Sequence, residues 1–276
     1  MNSSAPIVVK LGGRALESTG AVDGLAADLA ALAGRVVVVH GGGAEVTAWS
    51  ARLGLRANFH EGRRVTDPAT LEVATAVLAG LANKRLVAAL RARGVDAVGL
   101  AALDGGMLTV ERHPEAAALG AVGTVTGVDP ALLATLLAAG RTPVVASIGA
   151  VDGALLNLNA DDVAAALAPA LGAAVLVLLS DTPGLVLGGR VVRTLDRTAL
   201  EHALEGGEVT GGMQPKLAAA AAAVDGGTPC AWIAEWTGAG GLSRLLAGEE
   251  GSYGTRIIAT PTGAGNGTKE ETAHGR

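Results

Sequence analysis

Short β-branched runs alternate along this chain with longer segments rich in Ala and Leu. Ile7-Val8-Val9 and Val36 to Val39 are apolar throughout, without an in/out alternation. Such strands are covered on both faces, as in a parallel sheet flanked by helices. A helix is predicted over about Val22 to Ala33, closed by Gly34, and another from the glycine run at 41–43 through Leu53. Pro68 opens a long helix to about Arg93, with Asp67 as its cap. Val95 to Leu100 is a strand, 107–127 a hairpin, and Asp129-Pro130 starts a further helix. Pro143 to Ile148 is read as one strand.

The second part of the chain repeats the alternation. The uncharged run Val163 to Leu179 approaches a membrane span in length, but Pro169 and Gly172 interrupt it. It reads as a buried helix, a turn and the strand Val175 to Leu179, so no transmembrane segment is expected. Gly188-Gly189 between short apolar runs predicts a hairpin. Helices are predicted over about Arg197 to Leu204 and Gly212 to Val224, and the last strands at Cys230 to Ala234 and Arg256 to Ile258. The pattern as a whole predicts a three-layer αβα sandwich with a mostly parallel central sheet. Residues 261–276 lack an apolar period and are expected to form a loose tail.

Composition narrows the class. The 276 residues are 50% hydrophobic and 17% charged, which suits a packed core rather than a disordered chain. The net charge of −5 disfavours a nucleic-acid binder. Three Trp, one Tyr and one Phe do not furnish a base-stacking surface. Cys230 is the only cysteine, which excludes an internal disulfide and suits a cytoplasmic location. No secretory signal is read at the start, where 1–6 are short and polar.

Six local patterns carry candidate chemistry. Lys10-Leu11-Gly12-Gly13 ends the first strand, where ligands of open α/β sheets bind. His40-Gly41-Gly42-Gly43 joins a strand to a helix. Three glycines permit close backbone approach to an anion at a helix N-terminus. The spacing is neither a Walker A loop nor GxGxxG, and His40 is given no role. Arg63-Arg64 precede a helix, where one arginine could hold a carboxylate through two hydrogen bonds. In Asn157-Leu158-Asn159-Ala160-Asp161-Asp162 the asparagines share a face if the stretch is extended. One of the two aspartates is expected to cap the following helix, and the other to hold lysines in place. Ser180-Asp181-Thr182-Pro183-Gly184 ends another strand. Thr210-Gly211-Gly212-Met213-Gln214-Pro215-Lys216 is a glycine-rich helix start with a lysine just inside, a pattern suited to nucleotide phosphate.

In order and spacing, "VVKLGG", "VVVVHGGG", "GRRVTD", "LANKRL", "NLNADDVA", "LLSDTPGL" and "GGMQPK" resemble the amino acid kinase superfamily, and most of all its acetylglutamate kinases. The resemblance runs colinearly from about Ile7 to Ile258. It implies transfer of the ATP γ-phosphoryl to the side-chain carboxylate of N-acetyl-L-glutamate, a step of arginine biosynthesis, with Mg²⁺ arriving on the nucleotide. By resemblance Lys10 and Lys216 neutralise the phosphoryl group in transit and Asp161 holds both. Gly12, Gly42 and Gly43 give backbone N–H bonds, and Arg64 and Asn157 grip the acid. Ser180, Asp181, Gly184, Gly211 and Met213 line the ATP site. The resemblance also implies a substrate lobe over 1–171 and an ATP lobe over 172–260. Because Lys10 stands only ten residues in, it implies a homodimer without arginine feedback; the apolar faces of the long helix from Pro68 agree. Gly211 departs from an acidic residue found in some members. The rivals are an aminoadipate-type kinase acting on a carrier-bound substrate, a more distant uridylate kinase, and a non-catalytic amino-acid sensor.

Overall fold

Eight strands form the central sheet: β1 (Ile7–Leu11), β2 (Val36–His40), β3 (Ala97–Ala101), β4 (Thr142–Ala146), β5 (Val175–Ser180), β6 (Thr194–Leu195), β7 (Cys230–Glu235) and β8 (Thr255–Ile258). Their order is β6-β8-β7-β5-β1-β2-β4-β3. Neighbours from β7 through β3 pair in parallel, and β8 runs antiparallel to β7. The computed structural model describes residues 5–12, 19–32, 34–205, 207, 209, 211–248 and 254–260. Gly13, Thr210 and the expected tail 261–276 lie outside the described residues.

The uninterrupted apolar strands are explained by two cores. Alternate side chains of each strand leave the sheet on opposite faces. Val8, Val37, Leu176 and Leu178 enter a core shared with helices α5 (Ala160–Ala170) and α7 (Met213–Asp225). Their neighbours Val9, Val36, Val38 and Val177 enter a second core with α1 (Thr19–Ala30) and Leu86 and Leu90 of the long helix. The expected three-layer sandwich is therefore present. The helices α5 and α7 meet through alanines, which allow close approach between them.

That long helix is α3 (Pro68–Arg91). It starts as expected: Asp67 accepts from the Thr70 N–H at 2.7 Å, with Pro68 in the first turn. Its middle, Ala76–Ala82, is π-helical, a widening that shifts the phase of the side chains that follow. Among the described helices it alone is long and apolar enough to cross a membrane. Its Val73, Val77, Leu78, Leu86 and Leu90 are buried against the rest of the protein.

One local reading is corrected. The strand expected over Pro143 to Ile148 is two elements. The chain leaves β4 at Ala146, and Ile148–Val151 pairs instead with Ala154–Asn157. The turn is Asp152-Gly153, both at positive φ, a combination that an Asp-Gly pair supports in a tight hairpin. Two further short hairpins, Phe59–His60 with Arg63–Arg64 and Leu108–Arg112 with Gly123–Val128, lie near it. Single bridges join Thr66 to Gly120 and Val122 to Asn157. Through these bridges residues distant in sequence reach one place.

Candidate functional site

The carboxyl ends of β1 and β2 open on a cavity of about 260 Å³. Lys10, Gly12, Gly42, Gly43, Arg64, Asn157 and Asp161 all line it. Lys216 is tied to the same place through Asp161.

Asp161 is the electrostatic centre. Its Oδ1 lies 2.8 Å from Lys10 Nζ, and its Oδ2 accepts from Lys216 Nζ at 3.0 Å. The side chains of Lys10 and Asp161 are 9% and 8% exposed, so this triad is almost closed to water. Burial raises the affinity of the Asp161 carboxyl for a proton. The Lys10 and Lys216 charges outweigh that and hold its pKa below the usual carboxylate range. Burial lowers the Lys10 pKa, with attraction to Asp161 opposing and the Lys216 charge adding to the fall. Gly12 leaves room for this arrangement. A Cβ there would stand 2.9 Å from Lys10 Nζ and 3.3 Å from the Leu179 carbonyl oxygen.

The expected cap is corrected. Neither aspartate caps α5; Asn159 does, accepting from the Asp161 N–H at 2.7 Å and the Asp162 N–H at 3.4 Å. With Asn159 bound to the backbone, both carboxylates are available to cations. Successive helix residues point about 100° apart. Asp161 therefore faces the lysines, while Asp162 accepts from Arg63 at 3.1 Å. Burial raises the Asp162 pKa, and the Arg63 charge works against that shift.

Arg63 and Arg64 divide for the same kind of reason, since neighbours in a strand face opposite ways. Arg64 is 8% exposed. Its Nη2 donates to the Gly43 carbonyl at 2.8 Å and to Thr47 Oγ1 at 2.7 Å. Its guanidinium lies 4.8 Å from the Phe59 ring centroid. The Nη1 atom is buried without a hydrogen-bond partner beside the cavity. A buried charged donor left open in this way suits an anionic ligand. Asn157 donates to Thr66 Oγ1 at 3.1 Å, which places its amide on the same wall.

The glycine turn supplies a third element. Helix α2 (Gly43–Arg52) begins at the cavity with no side-chain cap. Its first N–H groups therefore have no intrahelical acceptor and favour an anion. Gly42 cannot carry a side chain without meeting Leu78 Cδ2 at 2.8 Å.

The residues expected at a nucleotide are outside this cavity. Ser180 ends β5 and is within 3.3 Å of Thr182 Oγ1. Asp181 is exposed beside it. Gly211, at φ +61, and Gly212 precede α7, whose N-terminus also lacks a side-chain cap. Met213 is half-buried against the core shared by α5 and α7. Gly184 has a packing reason of its own. Its φ is +123, and a Cβ would lie 2.6 Å from Thr255 Oγ1. That hydroxyl accepts from the Leu185 N–H and donates to the Val192 carbonyl.

Sequence reasoning did not single out Thr47, Phe59 or Ser147, which support Arg64 or line the cavity. None stands in a pattern of its own; only folding brings them in. Asn159 as the cap was legible, because Asn directly before an apolar helix is a strong start signal.

Known proteins agree with this architecture. Acetylglutamate kinase of Chloroflexus aurantiacus is 43% identical over 246 residues, which are 88% of this chain and 97% of that protein. That of Rubrobacter xylanophilus is 45% identical over 251 residues, covering 91% and 96%. The chloroplastic acetylglutamate kinase of Arabidopsis thaliana is 39% identical over 259 residues, covering 91% and 74%. Among solved structures, N-acetylglutamate synthase from Neisseria gonorrhoeae, complexed with coenzyme A and N-acetyl-glutamate, superposes with a TM-score of 0.80 at 26% identity, covering 92% of this chain and 59% of that one. Carbamate kinase from Giardia lamblia bound to AMP-PNP shares the fold, with a TM-score of 0.66 at 16% identity over 94% of this chain and 100% of that one. The model of the amino acid kinase family matches residues 5–234. With its mostly parallel sheet, glycine turns and carboxylate-linked lysine pair, the chain belongs to the amino acid kinase family.

Proposed function

We propose that this protein is an acetylglutamate kinase whose phosphoryl-transfer centre is the Lys10–Asp161–Lys216 triad. The observation that supports it best is the pair of ammonium groups, Lys10 buried and Lys216 partly so, held by one carboxylate beside an uncapped glycine turn. A side-chain carboxylate oxygen of N-acetyl-L-glutamate attacks the γ-phosphorus of ATP. A new O–P bond forms, the bond from phosphorus to the β,γ-bridging oxygen breaks, and ADP leaves with the electron pair. The acceptor carboxylate is already ionised at neutral pH, so no general base is needed. Catalysis then consists of positioning and charge stabilisation.

In this reading Lys10 and Lys216 offset negative charge on the transferring group. Asp161 keeps both from drifting apart under mutual repulsion. The N–H groups of Gly12, Gly42 and Gly43 donate to phosphoryl and acid oxygens. Arg64, through Nη1, and Asn157 hold the α-carboxylate end. Ser180, Asp181, Gly184, Gly211 and Met213 border the nucleotide. Residues 1–171 thus serve chiefly the acid and 172–260 chiefly ATP, with Lys216 crossing between them. Both Asp161 oxygens already face ammonium groups, so the triad itself does not hold a divalent cation. Mg²⁺ would instead arrive on the phosphate oxygens of ATP and would neutralise charge there.

Arg64→Ala is expected to raise KM for N-acetyl-L-glutamate on the order of tenfold to a hundredfold, with a smaller change in kcat. Steady-state kinetics check this; an unchanged KM would count against the assignment. The function itself is tested by trapping the acyl phosphate with hydroxylamine in the presence of Mg-ATP. N-acetyl-L-glutamate should give the signal, over free L-glutamate and N-acetyl-L-aminoadipate. A preference for the longer acid would move the enzyme to an aminoadipate-type reaction.

The proposal extends to a homodimer built on α3, where Leu81 is 41% exposed on an otherwise apolar stretch. Sedimentation should give a dimer, and a hexamer would reject this. A cytoplasmic setting, consistent with the buried free thiol of Cys230, is checked by cell fractionation.

A further inference from the structure

We propose that His40, held in one tautomer by Asn83, is a positioning residue that sets the Gly41–Gly42 peptide of the anion-binding turn. This rests on the reading that the Gly42 N–H serves the phosphoryl or acid oxygens.

His40 ends β2, a strand otherwise made of valines, and is fully buried. No part of the phosphoryl-transfer scheme uses it. Its Nδ1 lies 2.9 Å from the Gly41 carbonyl oxygen. A carbonyl only accepts, so Nδ1 carries the hydrogen. Burial lowers the His40 pKa and favours the neutral ring, outweighing the hydrogen bond to the Gly41 carbonyl and the Glu45 charge, with the Lys84 charge assisting. A neutral imidazole has one N–H, which leaves Nε2 as an acceptor.

Asn83 supplies the matching donor from α3. Its Nδ2 is 3.0 Å from His40 Nε2 and also faces the carbonyls of Val144 at 2.9 Å and Leu100 at 3.3 Å. The two N–H bonds of the amide go to Nε2 and the Val144 carbonyl, with the Leu100 carbonyl a longer, shared contact, and these acceptors require the amide nitrogen, not the oxygen, on that side. The amide oxygen accepts from Lys84 Nζ at 3.0 Å, and Lys84 is itself anchored on the Gly99 carbonyl at 3.1 Å. Gly99 makes room: a Cβ there would stand 2.2 Å from Asn83 Oδ1. Each link fixes the direction of the next, from Lys84 through Asn83 and His40 to the Gly41 carbonyl.

The consequence falls on the glycine turn. In a trans peptide the C=O and the following N–H point in opposite directions. With the Gly41 oxygen drawn to His40, the Gly42 N–H is turned away from it. Glycine does not resist rotation of this plane, so the restraint must come from outside the turn.

The test uses two substitutions that differ in where they place an N–H. Asparagine can present its amide nitrogen at the position of Nδ1, and glutamine at that of Nε2. His40→Gln is expected to lower kcat on the order of tenfold to a hundredfold, with KM for both substrates nearly unchanged. His40→Asn is expected to restore kcat to within about threefold of the parent. A fully active His40→Gln enzyme, or equal losses in both variants, would overturn the proposal. Independently of activity, ¹⁵N NMR of the imidazole in the substrate-free wild-type protein should show Nδ1 protonated and Nε2 bare. A protonated Nε2 would overturn it even if neither variant folds. An inactive wild-type enzyme with the expected tautomer would instead remove the proposed function and leave the positioning network standing.

Discussion

Lys216→Ala is expected to lower kcat on the order of 10²- to 10³-fold, with KM for ATP and acid changed by about threefold or less. The asymmetry follows from where the charge acts. The ammonium lies 3.0 Å from Asp161, its side chain 16% exposed, at the start of a helix whose N-terminus has no side-chain cap. Negative charge on the transferring group redistributes during the reaction, and a fixed cation in a water-poor site responds to that without reorganising. Lys10→Ala should fall at least as far, because Lys10 is the more deeply buried of the two. Arginine at 216 is not expected to restore the rate, since a planar fork does not replace a compact point charge in a packed site. Steady-state kinetics with both substrates varied separate the outcomes. Near-normal turnover in either alanine variant would remove that lysine from the chemistry, and a rise confined to KM would make it a binding residue only.

Asp161→Asn should damage stability as well as turnover. The amide keeps the shape of the carboxylate but leaves the buried Lys10 ammonium without a counter-charge. Breaking a buried pair in this way costs about 3–5 kcal/mol. Turnover should fall on the order of a hundredfold or more, because both lysines lose their common anchor. The pH dependence has a definite sign. The folded carboxyl titrates below the usual range, since the two lysines outweigh the effect of burial. It therefore adds stability above the unfolded value of about 3.9, and this is lost as pH falls through the folded value. The parent should lose stability in that acid window, and Asp161→Asn should lack that part of the loss. Urea unfolding at neutral and acid pH measures both. A neutral-pH stability within about 1 kcal/mol of the parent would mean that the triad is not the charge centre described here.

The order of strands and helices was legible because it depends on short-range properties. Runs such as Val36–Val39 bury both faces, and Asp67-Pro68 begins a helix by local hydrogen bonding and a fixed φ. The hairpin at 148–157 was missed because its apolar strand continues directly from β4, and periodicity cannot show where one apolar run changes partners. The Asp152-Gly153 turn was the available signal.

The sequence alone also placed lysines, glycines and carboxyl groups at strand ends, where an α/β sheet binds its ligands. It left open which member of each adjacent pair would act. That was decided by tertiary structure, since neighbours along a helix or strand point to different partners. Asp161 reaches two lysines while Asp162 reaches Arg63. Arg64 turns to Gly43 and Thr47 while Arg63 leaves the other way. His40 and Asn83, 43 positions apart, meet only because α3 lies against the sheet. Local sequence determines conformation through interactions a few residues long. The charge pairing of a buried site depends on which elements pack together, and that is set only when the chain has folded.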